Sequence, residues 1–284
     1  MEAPIPFRAS ADKIRPASTT PRATWFRQSE RQDGGGTVFL LIHGVGLSHL
    51  SFSRLAPVLA EHGTVIAPDL PGFGSAPGPG RRLTVEEMAE ALLPRLDTEV
   101  RPLGGRVVIV GHSLGAEVAV EVARRRPQLV RGVVLVGPVV DTAASSVFGQ
   151  GRRLLLDMMG EPPLTGAMVV RDYVRSGPLS YAAGVTSMLR YSTAERIAAV
   201  TAPILLLRGQ HDPVAPARWL AELQGLALDA RITEVPGAVH NVVHSHPREV
   251  GDRIAAFDAA LVALAHVGAG ADQGDCERQE LAAS

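Results

Sequence analysis

A serine between two glycines is the first feature of the chain with a direct chemical use. Residues 111–115 read G-H-S-L-G, after the apolar run 107–110 and before a helix-like stretch that starts near Ala116. In a strand–turn–helix setting such a serine lies on a sharp turn, and its hydroxyl projects from the edge of the sheet. The flanking glycines let strand and helix approach without a Cβ clash. The pattern predicts a nucleophile at Ser113; a glycine-rich turn without chemistry is the alternative.

A serine nucleophile needs a base, which is usually a histidine. Three histidines, His240, His244 and His246, lie close together after the last strand-like run, and each is a candidate. A metal site built on His240 and His244 would need a helix there and further ligands. Pro247 and the lack of a nearby metal-binding motif argue against that alternative.

The base in turn needs a carboxylate that stays ionised and holds its tautomer. Asp212 follows the apolar run 204–207 and is a candidate. Asp212 could instead be the N-cap of the helix that starts near residue 213 or 215. The residues alone therefore leave the acid open.

Composition excludes several classes of function. The 284 residues carry 28 basic and 29 acidic groups, and a net charge of −1 gives no reason to expect nucleic acid as a partner. The single cysteine, Cys276, excludes a disulfide framework and a thiolate metal site. Residues 1–21 lack the apolar core of a signal peptide, and no run reaches the roughly 18 apolar residues of a membrane span. We expect a soluble cytoplasmic protein without cofactor or metal.

Strand-like and helix-like segments alternate along the chain. Strands are predicted at residues 23–28, 38–42, 65–67, 107–110, 133–136, 204–207 and 231–235. Helices are predicted at residues 50–61, 84–100, 116–126, 215–224 and 247–265, and Thr84 with Glu87 forms a capping signature for the second of these. Continuously apolar strands are typical of sheets buried on both faces. The pattern predicts an α/β fold with a mostly parallel, doubly wound central sheet.

One stretch interrupts this alternation. Residues 141–198 contain no buried strand, only helix-compatible pieces at 152–159, 166–175 and 181–191, and we interpret them as a helical cap inserted into the sheet domain. The predicted organisation is an N-terminal arm at 1–22, a core at 23–140 and 199–267, the cap, and a disordered tail at 268–284. Candidate pocket-lining residues in the cap are Leu154, Leu155, Leu156, Met158, Met159, Met168, Val169 and Val170. Its polar residues Arg171, Tyr173, Arg175, Tyr181 and Tyr191 could face either the pocket or water.

Three motifs together resemble the α/β-hydrolase family. Besides G-H-S-L-G, the chain has L-I-H-G-V-G at 41–46, similar to the family's strand before the oxyanion loop. It also has P-D-L-P-G-F-G-S at 68–75, similar to the family's D-x-P-G-x-G turn. The resemblance covers residues 37–265, and it implies the α/β-hydrolase fold with a helical cap.

The resemblance also assigns roles. It implies a Ser113–Asp212–His240 triad, since G-Q-H-D-P-V-A-P at 209–216 and P-G-A-V-H at 236–240 are similar to the family's acid and base loops. Val239 stands where the family usually has glycine. Some members of the family place the acid after an earlier strand, which makes Asp141, after the run 133–136, the rival of Asp212. The oxyanion hole is implied to be the backbone N–H groups of Val45 and Leu114, and two such donors are what a tetrahedral intermediate needs.

Other polar residues of these motifs are expected to be structural. His43 is interpreted as a hydrogen-bonded structural histidine, and Asp69 as a residue that stabilises its turn. His112 is expected to point away from the nucleophile.

The implied activity is hydrolysis of a carboxylic ester of a small-to-medium apolar substrate through an acyl-enzyme on Ser113. Thioester hydrolysis, lactone formation and carbon–carbon bond hydrolysis would use the same triad. Carbon–carbon bond hydrolysis is disfavoured, because residues 43–48 read H-G-V-G-L-S. The members of the family that cleave such bonds have H-G-x-G-P-G at this loop. A serine at position 113 argues against the epoxide hydrolases and haloalkane dehalogenases of this family, which carry aspartate at the corresponding turn. A non-catalytic receptor for a small molecule is the alternative from a different class.

Overall fold

An eight-stranded sheet forms the centre of the molecule. The structure, a computed structural model, describes residues 8–9, 21–28, 36–100, 107–139 and 162–282. The strands are β1 (Arg8–Ala9), β2 (Thr24–Gln28), β3 (Thr37–Ile42), β4 (Gly63–Asp69), β5 (Val107–His112), β6 (Val130–Val136), β7 (Ile204–Gly209) and β8 (Ala230–Val235). Their spatial order is β1-β2-β4-β3-β5-β6-β7-β8. The first two strand pairs are antiparallel and the other five are parallel, which confirms the predicted mostly parallel sheet.

Both faces of this sheet are buried, as the apolar runs predicted. Every residue of β3, β5 and β7 is buried. Because successive side chains of a strand point to opposite faces, Val38, Leu40 and Ile42 join one apolar cluster while Phe39 and Leu41 join the other. The sheet is therefore doubly wound, with a separate apolar core on each side.

Helices cover the two faces. The described helices are α1 (Leu55–Ala60), α2 (Val85–Glu90), α3 (Leu93–Arg95), α4 (Leu114–Arg125), α5 (Pro163–Leu189), α6 (Thr193–Ile197), α7 (Ala217–Leu226), α8 (Val242–Ser245) and α9 (Pro247–Ala282). Helices α1 and α9 supply apolar side chains to one core, and α2, α4 and α7 to the other. No helix within the described ranges is long and apolar enough to cross a bilayer.

The single helix predicted at 84–100 is instead three short pieces. Its start is as expected, because Thr84 and Glu87 form a reciprocal capping box. After α2 the chain turns, and it then continues as α3 and a π-helical turn, Leu96–Val100. Pro94 has no N–H to donate to a carbonyl one turn earlier, so it does not sustain a continuous α-helix.

Most of the described part of segment 141–198 is helical. Helix α5 is called the cap helix below. It covers the predicted pieces at 166–175 and 181–191, except for residues 190 and 191, and it is interrupted at Gly177. The third predicted piece, 152–159, lies outside the described residues. Met168 and Val169 are buried against Leu47. Val170, in contrast, is 49% exposed and does not belong to this apolar cluster. The boundaries of the cap stay a prediction.

Both chain ends carry regular secondary structure. Within the predicted arm at 1–22, β1 pairs with β2, so β1 and not β2 is the edge strand of the sheet. At the other end, helix α9 runs to Ala282. The division into arm, core, cap and a disordered tail at 268–284 stays a prediction.

Glu117 is an unusual carboxyl group in the core. It lies on α4, is fully buried, and neither side-chain oxygen has a hydrogen-bond partner among the described residues. Burial, and secondarily the negative charge of Glu86, raise the pKa of Glu117 well above its usual value, while Arg196 opposes this. The group therefore opposes folding when it is ionised.

Glu117→Gln is expected to stabilise the protein at alkaline pH. Because the folded-state pKa of Glu117 lies above the unfolded value, this group costs no stability below about pH 4.5. The free energy of unfolding then falls as the pH rises through the folded-state pKa. Glutamine does not titrate, so the variant should match the wild type in acid and gain about 1–3 kcal/mol in alkali. Urea unfolding across pH measures this, and parallel pH profiles for both proteins would contradict it. Glu121→Gln, which loses ion pairs to Arg124 and Arg125, should instead destabilise at neutral pH.

Candidate active site

Ser113 lies on a strained turn between β5 and α4. Its backbone angles, φ 55° and ψ −121°, make it the one non-glycine residue with positive φ among the described residues. A side chain at Gly111 would overlap the carbonyl of Gly115, and a side chain at Gly115 would overlap the carbonyl of Ile42. The two glycines are thus needed for the close approach of strand and helix. Such strain costs about 1–3 kcal/mol and typically marks a functional residue.

The start of α4 and the loop after β3 flank this serine. Leu114 is the first residue of α4, so its N–H has no partner four residues earlier and lies at the positive end of the helix dipole. On the other side, a Cβ at Gly44 would lie only 3.1 Å from the Cβ of Ser113. The loop at 43–47, in which the oxyanion hole is predicted, is called the oxyanion loop below, and its Gly44 packs closely against the serine. Ser113 itself is 5% exposed.

Asp212 and His240 form a buried pair. His240 Nδ1 lies 2.8 Å from Asp212 Oδ2, and the two residues are 3% and 2% exposed. Burial tends to raise the pKa of Asp212, but its interactions with His240 and with two backbone N–H groups outweigh this and lower the pKa. Asp212 is therefore ionised at neutral pH, and its hydrogen bond keeps the proton of neutral His240 on Nδ1.

The two oxygens of Asp212 have different partners. Oδ1 accepts from the backbone N–H groups of Val214, at 2.8 Å, and Ala215, at 3.0 Å, while Oδ2 faces His240. The alternative role as a helix N-cap is not observed, because α7 begins at Ala217 with Pro216 as its N-cap. The amides fix the carboxylate so that one oxygen remains directed at the histidine.

Two residues support His240 from neighbouring strands. Gly137, with φ 54° after β6, leaves no room for a side chain, since a Cβ there would lie 2.9 Å from the His240 ring. His112 Nε2 lies 3.1 Å from the backbone oxygen of His240, which can only accept, so Nε2 donates. Burial and the nearby His240 lower the pKa of His112 to about 3, so it stays neutral. His112 thus points toward the base loop, a contact that the sequence did not indicate.

The rival bases are engaged elsewhere. Thr165 Oγ1 of the cap helix lies 2.9 Å from His244 Nδ1, and burial, Arg54 and Arg171 lower the pKa of His244 to about 4. His246 Nδ1 is bonded to the neighbouring Ser245 hydroxyl. Within the described ranges no group of three or more histidine, cysteine or acidic side chains has a metal-binding arrangement.

The rival acid Asp141 lies outside the described residues. The polar residues of the other two motifs form local bonds. Leu70 N–H donates to His43 Nε2 at 3.0 Å, which directs the other ring nitrogen to donate to the carbonyl of Gly44. Asp69 accepts from the backbone N–H of both His49 and Ser75. The structural roles expected for His43 and Asp69 are therefore confirmed.

The comparisons with known proteins show the family. The sequence profile of the alpha/beta hydrolase family matches residues 39–253. The chain belongs to this family. Over 247 residues this α/β hydrolase is 30% identical to a pimeloyl-[acyl-carrier protein] methyl ester esterase of Aromatoleum aromaticum, an alignment that covers 74% of this chain and 93% of that one. It is also 28% identical, over 242 residues, to the 2-(acetamidomethylene)succinate hydrolase of Mesorhizobium japonicum, with 76% and 86% covered.

Solved structures agree with this assignment. A thermophilic esterase from Thermogutta terrifontis matches with a TM-score of 0.71 at 20% identity, over 90% of this chain and 99% of that one. The structure of an E-2-(acetamidomethylene)succinate hydrolase matches with a TM-score of 0.67 at 25% identity, over 84% and 95%. The first similarity establishes the fold alone. Together with the family, these findings make the protein an α/β hydrolase.

Proposed function

We propose that this α/β hydrolase is a serine esterase that cleaves a carboxylic ester, or a related acyl bond, of a small-to-medium apolar substrate. The observation that carries the proposal is the buried His240–Asp212 pair, 2.8 Å between Nδ1 and Oδ2. The strained Ser113 lies nearby, since its N–H donates to Val136, and the next residue, Gly137, packs against the His240 ring. A nucleophile, a base and a group that orients the base are the elements of acyl transfer. The similarity to a methyl ester esterase favours an ester as the bond that is cleaved.

The first half of the proposed reaction forms an acyl-enzyme. His240 Nε2 removes the proton of the Ser113 hydroxyl as its oxygen attacks the ester carbonyl. The carbonyl oxygen gains a negative charge, which the backbone N–H groups of Val45 and Leu114 stabilise. His240 then gives its proton to the leaving oxygen, so an alcohol departs and the acyl group stays on Ser113.

The second half releases the acid. A water molecule takes the place of the alcohol, His240 removes one of its protons, and the hydroxide attacks the acyl carbon. Collapse of the second tetrahedral intermediate breaks the bond to Ser113, whose oxygen recovers the proton from His240. Asp212 stays ionised throughout and stabilises each imidazolium that forms, a role supported by its lowered pKa.

Apolar contacts beside the oxyanion loop support an apolar substrate. Leu47 packs against Met168 and Val169 of the cap helix, and all three side chains are buried. Val45 is 5% exposed and contacts the same helix at Gly184. A site bordered by such groups favours an alkyl or aryl acyl chain, and it stabilises the charged intermediate by excluding water.

A series of p-nitrophenyl esters tests this function. The acetate, butyrate and octanoate esters should each release p-nitrophenol at a rate proportional to protein concentration, with an initial burst wherever deacylation is slow. Parallel titration of binding by fluorescence separates the alternatives. Tight binding of the esters without release would contradict the proposal and favour a receptor. Release that is unchanged in the Ser113→Ala variant would contradict the assigned nucleophile.

A further inference from the structure

The break in the cap helix brings two tyrosines together. Gly177, with φ 76° and ψ 157°, interrupts α5, and the following Pro178 disfavours helical geometry at position 177. Tyr173 lies before the break and Tyr181 after it. Their ring centroids are 4.7 Å apart with an angle of 50° between the planes. In an unbroken helix these residues would be eight positions, or about 12 Å, apart along the axis.

Both rings pack on the oxyanion loop. A Cβ at Gly46 would lie 2.8 Å from ring carbons of both tyrosines, so their rings fill the space over this glycine. Gly46 directly follows Val45, whose N–H is proposed to hold the oxyanion. The tyrosine pair therefore lies next to the position where the substrate carbonyl would bind.

Each half of the cap helix is anchored near this pair. The hydroxyl of Ser48, just after the loop, donates to Asp172 Oδ2 at 2.6 Å, and Asp172 is 3% exposed. Beyond the break, Gly184 lies against Val45, and the Ser187 hydroxyl donates to the carbonyl of Leu83. These buried contacts hold both tyrosines in place over the loop.

The hydroxyl of Tyr181 is protonated at neutral pH. Burial raises the pKa of Tyr181, and an interaction with Tyr173 opposes this only in part. A protonated phenol can donate as well as accept a hydrogen bond. Tyr181 thus brings a hydrogen-bond donor to a partly buried position beside the loop.

We propose that Tyr181, whose ring packs with that of Tyr173 over Gly46, donates a hydrogen bond to a substrate oxygen other than the reacting carbonyl. The preferred substrates are then esters whose acyl chain or alcohol carries a second oxygen, such as an ether, a ketone or a carboxylate, near the reacting group. This proposal depends on the proposed esterase function and narrows its substrate class. Tyr181 acts as a specificity-determining residue and takes no part in bond breaking.

Matched esters that differ by one oxygen test this proposal. On the acyl side, p-nitrophenyl methoxyacetate is compared with p-nitrophenyl butyrate, in which a methylene replaces the ether oxygen. On the alcohol side, 2-methoxyethyl butyrate is compared with butyl butyrate, and hydrolysis is measured by the release of butyric acid. Within each pair, kcat/KM of the ester with the ether oxygen is divided by kcat/KM of its counterpart with a methylene. This ratio is measured for the wild type and for Tyr181→Phe, so differences in intrinsic reactivity cancel.

Tyr181→Phe should lower the ratio in at least one pair by about five- to tenfold, the effect of one net hydrogen bond, and leave the ester without the extra oxygen within about twofold. Tyr173→Phe should give a smaller loss in the same pair. Tyr191→Phe, which removes a hydroxyl bonded to Glu121 away from the loop, should leave the ratios unchanged. Equal loss for both members of each pair, or no loss in either pair, would overturn the proposal. A wild type that hydrolyses none of the four esters would instead overturn the proposed function.

Discussion

Replacement of Ser113 by alanine is expected to lower kcat for any hydrolysed p-nitrophenyl ester by about 10⁴-fold or more while KM changes little. The loss is large because no other group in the site would form the acyl-enzyme. Alanine keeps the Cβ and meets the same backbone strain at φ 55°, so the fold should persist. Steady-state kinetics and the thermal unfolding midpoint of the variant measure both expectations.

A matched serine provides the control for this variant. Ser245 follows His240 by five residues, and its hydroxyl has two local contacts, the carbonyl of Asn241 at 3.2 Å and His246 Nδ1 at 2.9 Å. Ser245→Ala should keep activity within about threefold, as is usual for a substitution without a catalytic role. Loss of activity in Ser113→Ala together with a lower unfolding midpoint would point to a folding defect. Retained activity in a folded Ser113→Ala protein would refute the nucleophile.

Asp212→Asn is the second variant with a large expected effect, about 10⁴-fold in kcat at neutral pH. The backbone N–H groups of Val214 and Ala215 can only donate, so they keep the oxygen of the asparagine amide at the Oδ1 position. The amide NH₂ then faces His240 and donates to Nδ1. This reverses the tautomer, places the remaining ring proton on Nε2 and removes the base.

The double variant tests whether the two residues act as one unit. If Asp212 works only through His240 and Ser113, the Ser113→Ala/Asp212→Asn protein should be about as slow as the slower single variant. Losses that simply multiply would show that Asp212 acts by another route. A single Asp212→Asn variant with more than a tenth of wild-type activity would show that it is not the orienting acid.

Much of the fold could be predicted because its signals are local. The apolar runs at 38–42, 107–110 and 204–207 identify strands buried on both faces, and all three are central strands of the sheet. The G-H-S-L-G motif likewise encodes its own turn, since overlaps at Gly111 and Gly115 allow no side chain. Asp212 and His240 could be located in their loops, but only the fold brings the two side chains to 2.8 Å.

The features that the sequence did not indicate depend on contacts between distant segments. Gly137 lies 103 residues before His240, yet it determines how closely that ring approaches β6. The bond from His112 to the base loop is equally long-range. Tyr173 and Tyr181 were candidates for either the pocket or water, and their position over Gly46 follows from the break at Gly177. The oxyanion-hole roles of Val45 and Leu114 stay a prediction.

Covalent labelling with a fluorophosphonate tests the central claim most directly. Trypsin cuts after Arg106 and Arg124, and Ser113 is the only hydroxyl-bearing residue of the resulting peptide 107–124. The proposed mechanism predicts one phosphonyl group per chain on this peptide, no label in Ser113→Ala, and much slower labelling in Asp212→Asn. Labelling of a different peptide at the same rate, or no labelling of a protein that hydrolyses esters, would contradict it.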